Sequence, residues 1–354
     1  MSQPSCVVVG AGIVGASIAW HLAAAGTRVT VVDAGGPGGV ATPCSFAWIN
    51  ATFGNPEPYF RLRHRSMAEW RRLAGQVPGL PLAWSGGLRW DMSATDMGNY
   101  VAGHGDWGYP VRRVGRDEAA RIEPSLAAPP DDAVYVAEEG AVEPDQAARL
   151  LLAEADLRQA SVTGLVLAGG DVVGVETGDG RLKADHVVLA AGAATGDLAA
   201  TAGVAMPVET LPGLLVHSRP YGKLLNGLVL APGLHIRQTL DGRLVSGADY
   251  GGSDPGADPE AEARTVFARM KAALRGAEDL EFERFSVGHR PIPVDHFPAV
   301  GPAPGVGGLY LAVMHSGITL APAVGRFAAE EIVHGREEPL LSPFRPARFA
   351  QAAA

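Results

Sequence analysis

The sequence predicts an α/β protein in which a domain of parallel strands is interleaved with an α+β domain built on a β-rich antiparallel sheet. Three observations carry the prediction. Residues 6–35 read "CVVVGAGIVGASIAWHLAAAGTRVTVVDAG": a strand, a glycine turn, a helix, a second strand and an acid. Apolar runs of the same kind return in the middle of the chain, "HVVLAAGA" (186–193), and near its end, "GLYLAV" (308–313). Between them lie stretches that alternate apolar and polar residues and turn at glycine, as antiparallel strands do.

Each part of the opening stretch has a physical reason. The continuous apolar run Cys6–Val9 suits a parallel strand buried on both faces. Gly10, Gly12 and Gly15 fit G-x-G-x-x-G: the first permits the tight turn, the second lets backbone approach a pyrophosphate, and the third lets the helix pack close to the strand. The helix runs on from Ile13 and Val14, and Gly26 ends it. Its free amides and dipole favour an anion at its start. "RVTVVD" is the second strand, and Asp33 ends it where a ribose hydroxyl needs an acceptor. This is a Rossmann-like FAD/NAD(P)-binding domain. An acid at position 33 disfavours a 2′-phosphate, and so NADP, but does not separate NAD from FAD.

Along the rest of the chain, "GGPGGVATPCSFAWIN" (35–50) is a glycine-rich loop, and the third βα unit expected of an NAD enzyme soon after Asp33 is missing. Residues 56–75 form an amphipathic helix whose "RLRHR" charges read as a solvated face. "LAWSGGLRWDM" (82–92) reads as a hairpin, 111–126 holds a short helix, and 133–155 passes from strand to helix with Pro144 in the first turn. Residues 160–193 form a three-stranded meander and a strand that rejoins the first sheet. Residues 214–250 are a second β-rich block, followed by an exposed loop and a helix through Arg275. The nucleotide domain is therefore assigned 1–81, 141–206 and 289–354, and the substrate domain 82–140 and 207–288.

Bulk properties narrow the function. The 354 residues are 47% hydrophobic and 19% charged, enough for a large core, and the net charge of −9 argues against nucleic acid as a partner. Two cysteines, Cys6 and Cys44, allow no disulfide framework and no zinc cluster, so no metal site is expected and a reducing cytoplasm is the simplest location. No Lys or Arg precedes the apolar run at 6–20, which therefore does not read as a secretion signal. No stretch has the length of a membrane span.

Five segments in order, "VVVGAGIVGASIAWHLAAAGTRVTVVD", "GAVEPDQAARLLLAEA", "ADHVVLAAGA", "GHRPIPVDHFPAVG" and "HSGITLAPAVGRFAAEEI", resemble the D-amino-acid oxidase, glycine oxidase and sarcosine oxidase family of FAD-dependent oxidoreductases. The resemblance implies FAD. It implies that Gly10, Gly12, Ile13, Val14 and Gly15 hold the pyrophosphate and that Asp33 and Ala34 hold the adenosine ribose. Thr42 and Ser45 would pass beside the flavin, Val162 would contact adenine, and Ala191 and Gly192 would pack on the nucleotide. Gly317, Ile318 and Thr319 would open a helix toward the flavin, where a helix N-terminus stabilises the charge that reduction brings.

On the substrate side the resemblance implies a hydride leaving the carbon beside an amine, giving an imine that hydrolyses. Arg290 matches the arginine that pairs with the substrate carboxylate; the other reading is a structural ion pair. His235 stands where relatives carry a pocket tyrosine. His289 and His315 flank the expected flavin edge, as positive charge or as base, with His315 preferred. Trp48 and Asn50 lie where the flavin loop meets the pocket. The sarcosine-oxidase branch tethers its flavin through a C-terminal cysteine, and none follows Cys44, so FAD is expected to be non-covalent. No lysine follows Lys271, and Thr319 stands where that branch binds carboxylate with lysine. The expected substrate is a D- or N-substituted amino acid, and the electron acceptor is oxygen or an unidentified one. A 2-hydroxy acid as donor, a flavin subunit passing electrons to a partner protein, and an NAD-dependent dehydrogenase are the alternatives.

Overall fold

The structure, a computed structural model, describes residues 3–350. Strand β1 (Ser5–Val9) is buried along Cys6–Val9 because it sits inside a sheet. Strand β2 (Arg28–Asp33) lies parallel to it on one side and strand His186–Leu189 parallel on the other. The full order is Ala299–Pro302, Leu309–Val313, His186–Leu189, β1, β2, Asp156–Gln159. All strands run parallel except the first, which is antiparallel to its neighbour. The apolar runs of the sequence are the central strands, as two-sided burial requires.

The edge strand Asp156–Gln159 is mostly exposed and has no apolar run, so the sequence analysis passes over it. It takes the place beside β2 that an NAD enzyme's third βα unit would fill.

The meander is present as predicted: Val162–Ala168, Asp171–Thr177 and Gly180–Lys183 form a three-stranded antiparallel sheet. A larger sheet of eight strands draws on residues 208–293 for five strands and on 87–136 for three. Its longest pairing joins Val208–Ser218 to Phe282–Pro293, a strand that runs unbroken through position 289. Period-2 alternation gives this sheet two apolar faces. Leu214, Val216 and Val287 pack on helix Pro259–Ala272. Leu215, Leu230 and Val245 face the other way, onto Phe46 and Trp48.

Two expectations need correction. Residues 82–92 are not a hairpin: Leu82–Ala83 pairs with Gly140–Val142, whereas Gly87–Arg89 joins the eight-stranded sheet. Alternation identifies a strand but not its partner. The helix expected to reach Arg275 stops at Ala272.

Helix α1 (Ile13–Ala24) packs along helix Gly317–His334. A Cβ on Gly317 would lie 3.2 Å from Val14, and one on Gly325 would lie 2.3 Å from the Ser17 hydroxyl and 2.7 Å from His21 Nδ1. Contacts in that order mean the two helices run the same way, with their N-termini side by side. Helix α2 (Glu57–Gln76) packs across helix Gly317–His334; Trp70 donates its indole N–H to the Ile318 carbonyl at 3.0 Å. None of the described helices is long and apolar enough to cross a membrane.

Candidate active site and family

At the dinucleotide end, Gly10 has φ +109, and a Cβ there would lie 2.3 Å from the Ala190 carbonyl oxygen. A Cβ on Gly15 would lie 1.9 Å from the Gly10 carbonyl oxygen. Both positions exclude any side chain. Gly12 caps α1 without a side-chain hydrogen bond, and the first turn holds no acid. The Thr42 hydroxyl accepts the Ile13 N–H at 3.0 Å. Asp33 accepts the Ala11 N–H at 2.8 Å and those of Gly35 and Gly36 at 2.8 and 3.0 Å. The first bond ties the carboxylate to the glycine turn, and the last two tie it to the loop after β2. Gln159 donates to the Ala34 carbonyl at 3.3 Å, and the Ala160 N–H reaches the Asp33 carbonyl at 3.1 Å. Through these bonds the chain leading to Val162 passes beside Asp33. Ala191 caps the short turn Gly192–Ala194, and the Ala190 N–H binds the Val9 carbonyl at 2.9 Å.

The paired helix starts are the feature that asks for a ligand. Two parallel helices put two positive dipole ends together. Helix Gly317–His334 has no side-chain cap on Ser316 and no acid in its first turn. A group carrying phosphates at one place and an anion-forming ring at another suits both ends, and FAD is such a group. Ser45 accepts the Ala47 N–H at 3.0 Å, and Ala47 has φ +60, a strained conformation in the loop that bonds both helix starts through Thr42 and Trp48.

Thr319 and Asn50 are spent inside the protein rather than offered to a ligand. The Thr319 hydroxyl donates to the Trp48 carbonyl at 3.2 Å and accepts the Asn50 N–H at 3.4 Å. Asn50 donates its amide to the Trp48 carbonyl at 3.3 Å and accepts from Thr52 N–H at 3.2 Å and from Arg63. Trp48 is buried, with its indole N–H on Glu139 Oε2 at 2.8 Å. Its ring lies 6.1 Å from that of Tyr250.

Arg290 lies on strand Phe282–Pro293. One Nη donates to the Pro212 carbonyl at 3.2 Å and the other lies 3.5 Å from His315 Nε2. Its Nε is buried without a partner, and no carboxylate pairs with it among the described residues. The structural ion pair is therefore absent, and the guanidinium keeps donors for an incoming carboxylate. Burial, with Arg290 and Arg63 nearby, lowers the His315 pKa to about 4. The imidazole is neutral at pH 7, so it is neither the positive charge expected near the flavin nor a strong base.

His289 follows the opposite alternation from Arg290, on the side of Val287 and helix Pro259–Ala272, and is exposed. It is not brought into the site. His235 is 1% exposed and bonds Asp91 Oδ2 at 2.9 Å, a packed strand histidine. The exposed aromatic nearby is Tyr250, whose ring lies 6.2 Å from those of His235 and His315.

Sequence reasoning missed Tyr250, which sits in the turn after strand Leu244–Gly247, where there is no periodicity to read. It also missed Arg63 in the "RLRHR" run. Arg63 is 8% exposed, and its Nε donates to the Asn50 carbonyl at 3.1 Å. One Nη reaches the Ser316 hydroxyl at 3.1 Å. Its place i+4 from Tyr59 and i−4 from Met67, both buried, is the helical signal that could have exposed it.

Buried titratable groups make stability depend on pH. His21 and His315 are lowered to about 4 and His217 to about 3, each chiefly by burial. Depressed histidines stabilise fully above the unfolded value near 6.5 and lose that contribution as pH falls toward the folded value, each worth up to roughly 3 kcal/mol. Burial raises Glu139 to about 7, with the opposite sign: its contribution is present below the unfolded value and is lost as pH rises through 7. The melting temperature of the FAD-loaded protein is expected to peak near neutrality and fall steeply below pH 6. Glu139→Gln should steepen the rise in melting temperature between pH 5 and 7, because it removes a group whose contribution is lost over that range. A melting temperature flat from pH 7 to 4 would contradict the histidine assignment.

Comparison with known proteins fits this geometry. Residues 5–331 match the DAO family, described as FAD dependent oxidoreductase. The chain is 31% identical to a glycine oxidase of Pseudomonas aeruginosa over 361 residues, covering 95% of this chain and 96% of that one. It superposes on the crystal structure of glycine oxidase from Geobacillus kaustophilus with TM-score 0.87 and 26% identity, covering 98% of this chain and 99% of that one. It superposes on an iminodiacetate oxidase of a Chelativorans strain with TM-score 0.84 and 26% identity, covering 96% and 98%. A match of this length leaves no strand of either large sheet outside it, and the chain belongs to the DAO family: it is an FAD-dependent oxidoreductase.

Proposed function

We propose that the protein oxidises the carbon–nitrogen bond of a small D- or N-substituted amino acid, a glycine derivative being the type. The carrying observation is a half-buried guanidinium, Arg290, with neutral partners and a neutral imidazole beside it. In this reading the unit assigned 1–81, 141–206 and 289–354 holds non-covalent FAD and the unit assigned 82–140 and 207–288 presents the substrate, with the boundary at 289 crossed by strand Phe282–Pro293 of the eight-stranded sheet, which carries Arg290. Gly10, Gly12, Ile13, Val14 and Gly15 take the pyrophosphate, and Asp33 with Ala34 takes the ribose. Val162, Ala191 and Gly192 flank the nucleotide, while Thr42, Ser45 and the amides of Gly317, Ile318 and Thr319 lie along the flavin. The relatives named glycine oxidase and iminodiacetate oxidase support an amine donor with a carboxylate.

FAD supplies the acceptance of a hydride, two electrons with one proton, from the carbon beside nitrogen. The protein does the rest. Arg290 binds the carboxylate through two parallel N–H donors. Tyr250 and Trp48 wall the carbon side and limit water. Arg290 and Arg63 make the pocket positive, which is part of why His315 resists protonation. The same field lowers the pKa of a bound ammonium, and the neutral amine has the lone pair that C–H cleavage needs. His315, neutral, accepts a hydrogen bond from that amine and orients it. The imine leaves to be hydrolysed to a carbonyl compound and an amine.

The test is anaerobic mixing of FAD-loaded protein with D-, L- and N-alkyl amino acids and with 2-hydroxy acids, following the visible flavin band. Bleaching by one amine class is expected, and admitting air then tells oxygen from another acceptor. Bleaching by hydroxy acids alone would move the assignment to alcohol oxidation. No bleaching by any of them, with electrons accepted only in a co-purifying protein's presence, would make the chain a flavin subunit.

A further inference from the structure

The least explained group near the site is Arg63. A buried cation is costly unless something negative compensates it; Arg63 lies over the Tyr59 ring at 5.4 Å and acts at longer range on the buried Glu139, but all three of its hydrogen-bond acceptors are neutral: the Asn50 carbonyl, the Asn50 side-chain oxygen and the Ser316 hydroxyl. No carboxylate pairs with it among the described residues, while its neighbours on α2, Arg61, Arg65 and Arg72, all have one. Its contact with Ser316 is informative. Ser316 is the cap residue of helix Gly317–His334, and a serine there ordinarily binds its own helix's first amides. Here that hydroxyl accepts from Arg63 and gives the helix no side-chain cap. One arrangement thus does two things: it fixes a guanidinium beside the helix start, and it leaves the helix amides free.

We propose that Arg63 is an electrostatic positioning residue for the cofactor: with the start of helix Gly317–His334 it stabilises the negative charge that the flavin ring acquires on two-electron reduction, and so raises the potential of bound FAD. The inference rests on the reading that puts the flavin ring at that helix start. Arg63 is too enclosed to serve as the substrate's carboxylate partner, a task open to Arg290. Its three bonds hold its charge at a fixed place before and after reduction, which is what preorganised stabilisation requires.

The experiment is dye-equilibrated reduction of the FAD-loaded wild type, Arg63→Gln, Arg63→Met and Arg63→Lys. The neutral variants are expected to shift the two-electron equilibrium toward oxidised flavin at least tenfold, a fall of about 30 mV. Arg63→Lys, which keeps the charge, should stay within threefold of wild type. Neutral variants with an unchanged potential would overturn the proposal, and so would a lysine variant that falls as far as they do, since the loss would then be packing. If the neutral variants release oxidised FAD, with or without lysine retaining it, Arg63 serves binding or packing rather than reduction, and the proposal is overturned. A wild type that binds no FAD would instead overturn the placement of the flavin.

Discussion

Replacing Arg290 by methionine is expected to lower kcat/KM for a carboxylate-bearing amine by about 10²–10³-fold, the 3–4 kcal/mol that losing one partner of a desolvated charge pair costs. Most of the loss should fall on KM, with a smaller part on kcat, because the carboxylate both binds and orients the reacting carbon. Arg290→Lys should recover only part of it, since an ammonium lacks the planar fork. An amine of similar size without a carboxylate should be nearly indifferent to the change, and an equal loss for that amine would dismiss the carboxylate role. Stability should not suffer. The Nε of Arg290 is buried without a partner, so methionine removes a cost as well as two weak contacts. The comparison thus separates binding from folding, using steady-state kinetics and a melting curve on the same two proteins.

Replacing Gly15 by alanine is expected to abolish FAD binding and lower the yield of folded protein. The added Cβ would lie 1.9 Å from the Gly10 carbonyl oxygen, which belongs to the turn itself. Relief requires α1 to move away from β1, and that movement opens the pyrophosphate site. The cost exceeds ordinary overpacking of about 1–3 kcal/mol, because backbone rather than a flexible side chain is in the way. Gly98 in helix Ala94–Asp106 is the control. Nothing lies within 4 Å of a Cβ there, so Gly98→Ala should stabilise by about 0.5–1 kcal/mol. Colour retained by Gly15→Ala at wild-type FAD affinity would contradict the geometry.

The two mutations mark how far the sequence could be read. The turn at Gly10–Gly15 is local: strand, helix and acid follow one another within thirty residues, and each leaves a pattern in composition. The central strands announce themselves by burial on both sides, but Asp156–Gln159, at the edge of the same sheet, is polar and silent. The site is a meeting of distant segments, and that is where reading failed. His289 and Arg290 are adjacent in sequence, yet strand alternation sends them to opposite faces. His235 is buried on Asp91, with the Tyr250 ring 6.2 Å away, relations between residues on different segments. Arg63 sits among four arginines on α2, three of which do form surface or partly buried pairs with Glu57 and Glu69. Only the packing of α2 on helix Gly317–His334 distinguishes it. Charge runs on helices therefore conceal functional cations whenever the helix turns one of its positions toward a neighbouring element.

The strand order of the six-stranded sheet also sets a timetable for synthesis. β1 meets β2 as soon as both leave the ribosome, but its other neighbour begins at His186, the next strand at Leu309, and the second helix start at Gly317. Until Asp156–Gln159 covers β2 and His186–Leu189 covers β1, the two are an unfinished pair with open edges, the kind of surface that seeds aggregation. Closure waits for contacts between chain segments some 300 residues apart, which makes folding slow. With FAD placed as proposed, the coenzyme cannot template this assembly, because its second foothold forms only when helix Gly317–His334 joins α1. It captures chains already closed, and by mass action its supply governs how many stay so. Recombinant yield should therefore follow riboflavin in the medium more closely than it follows transcript level.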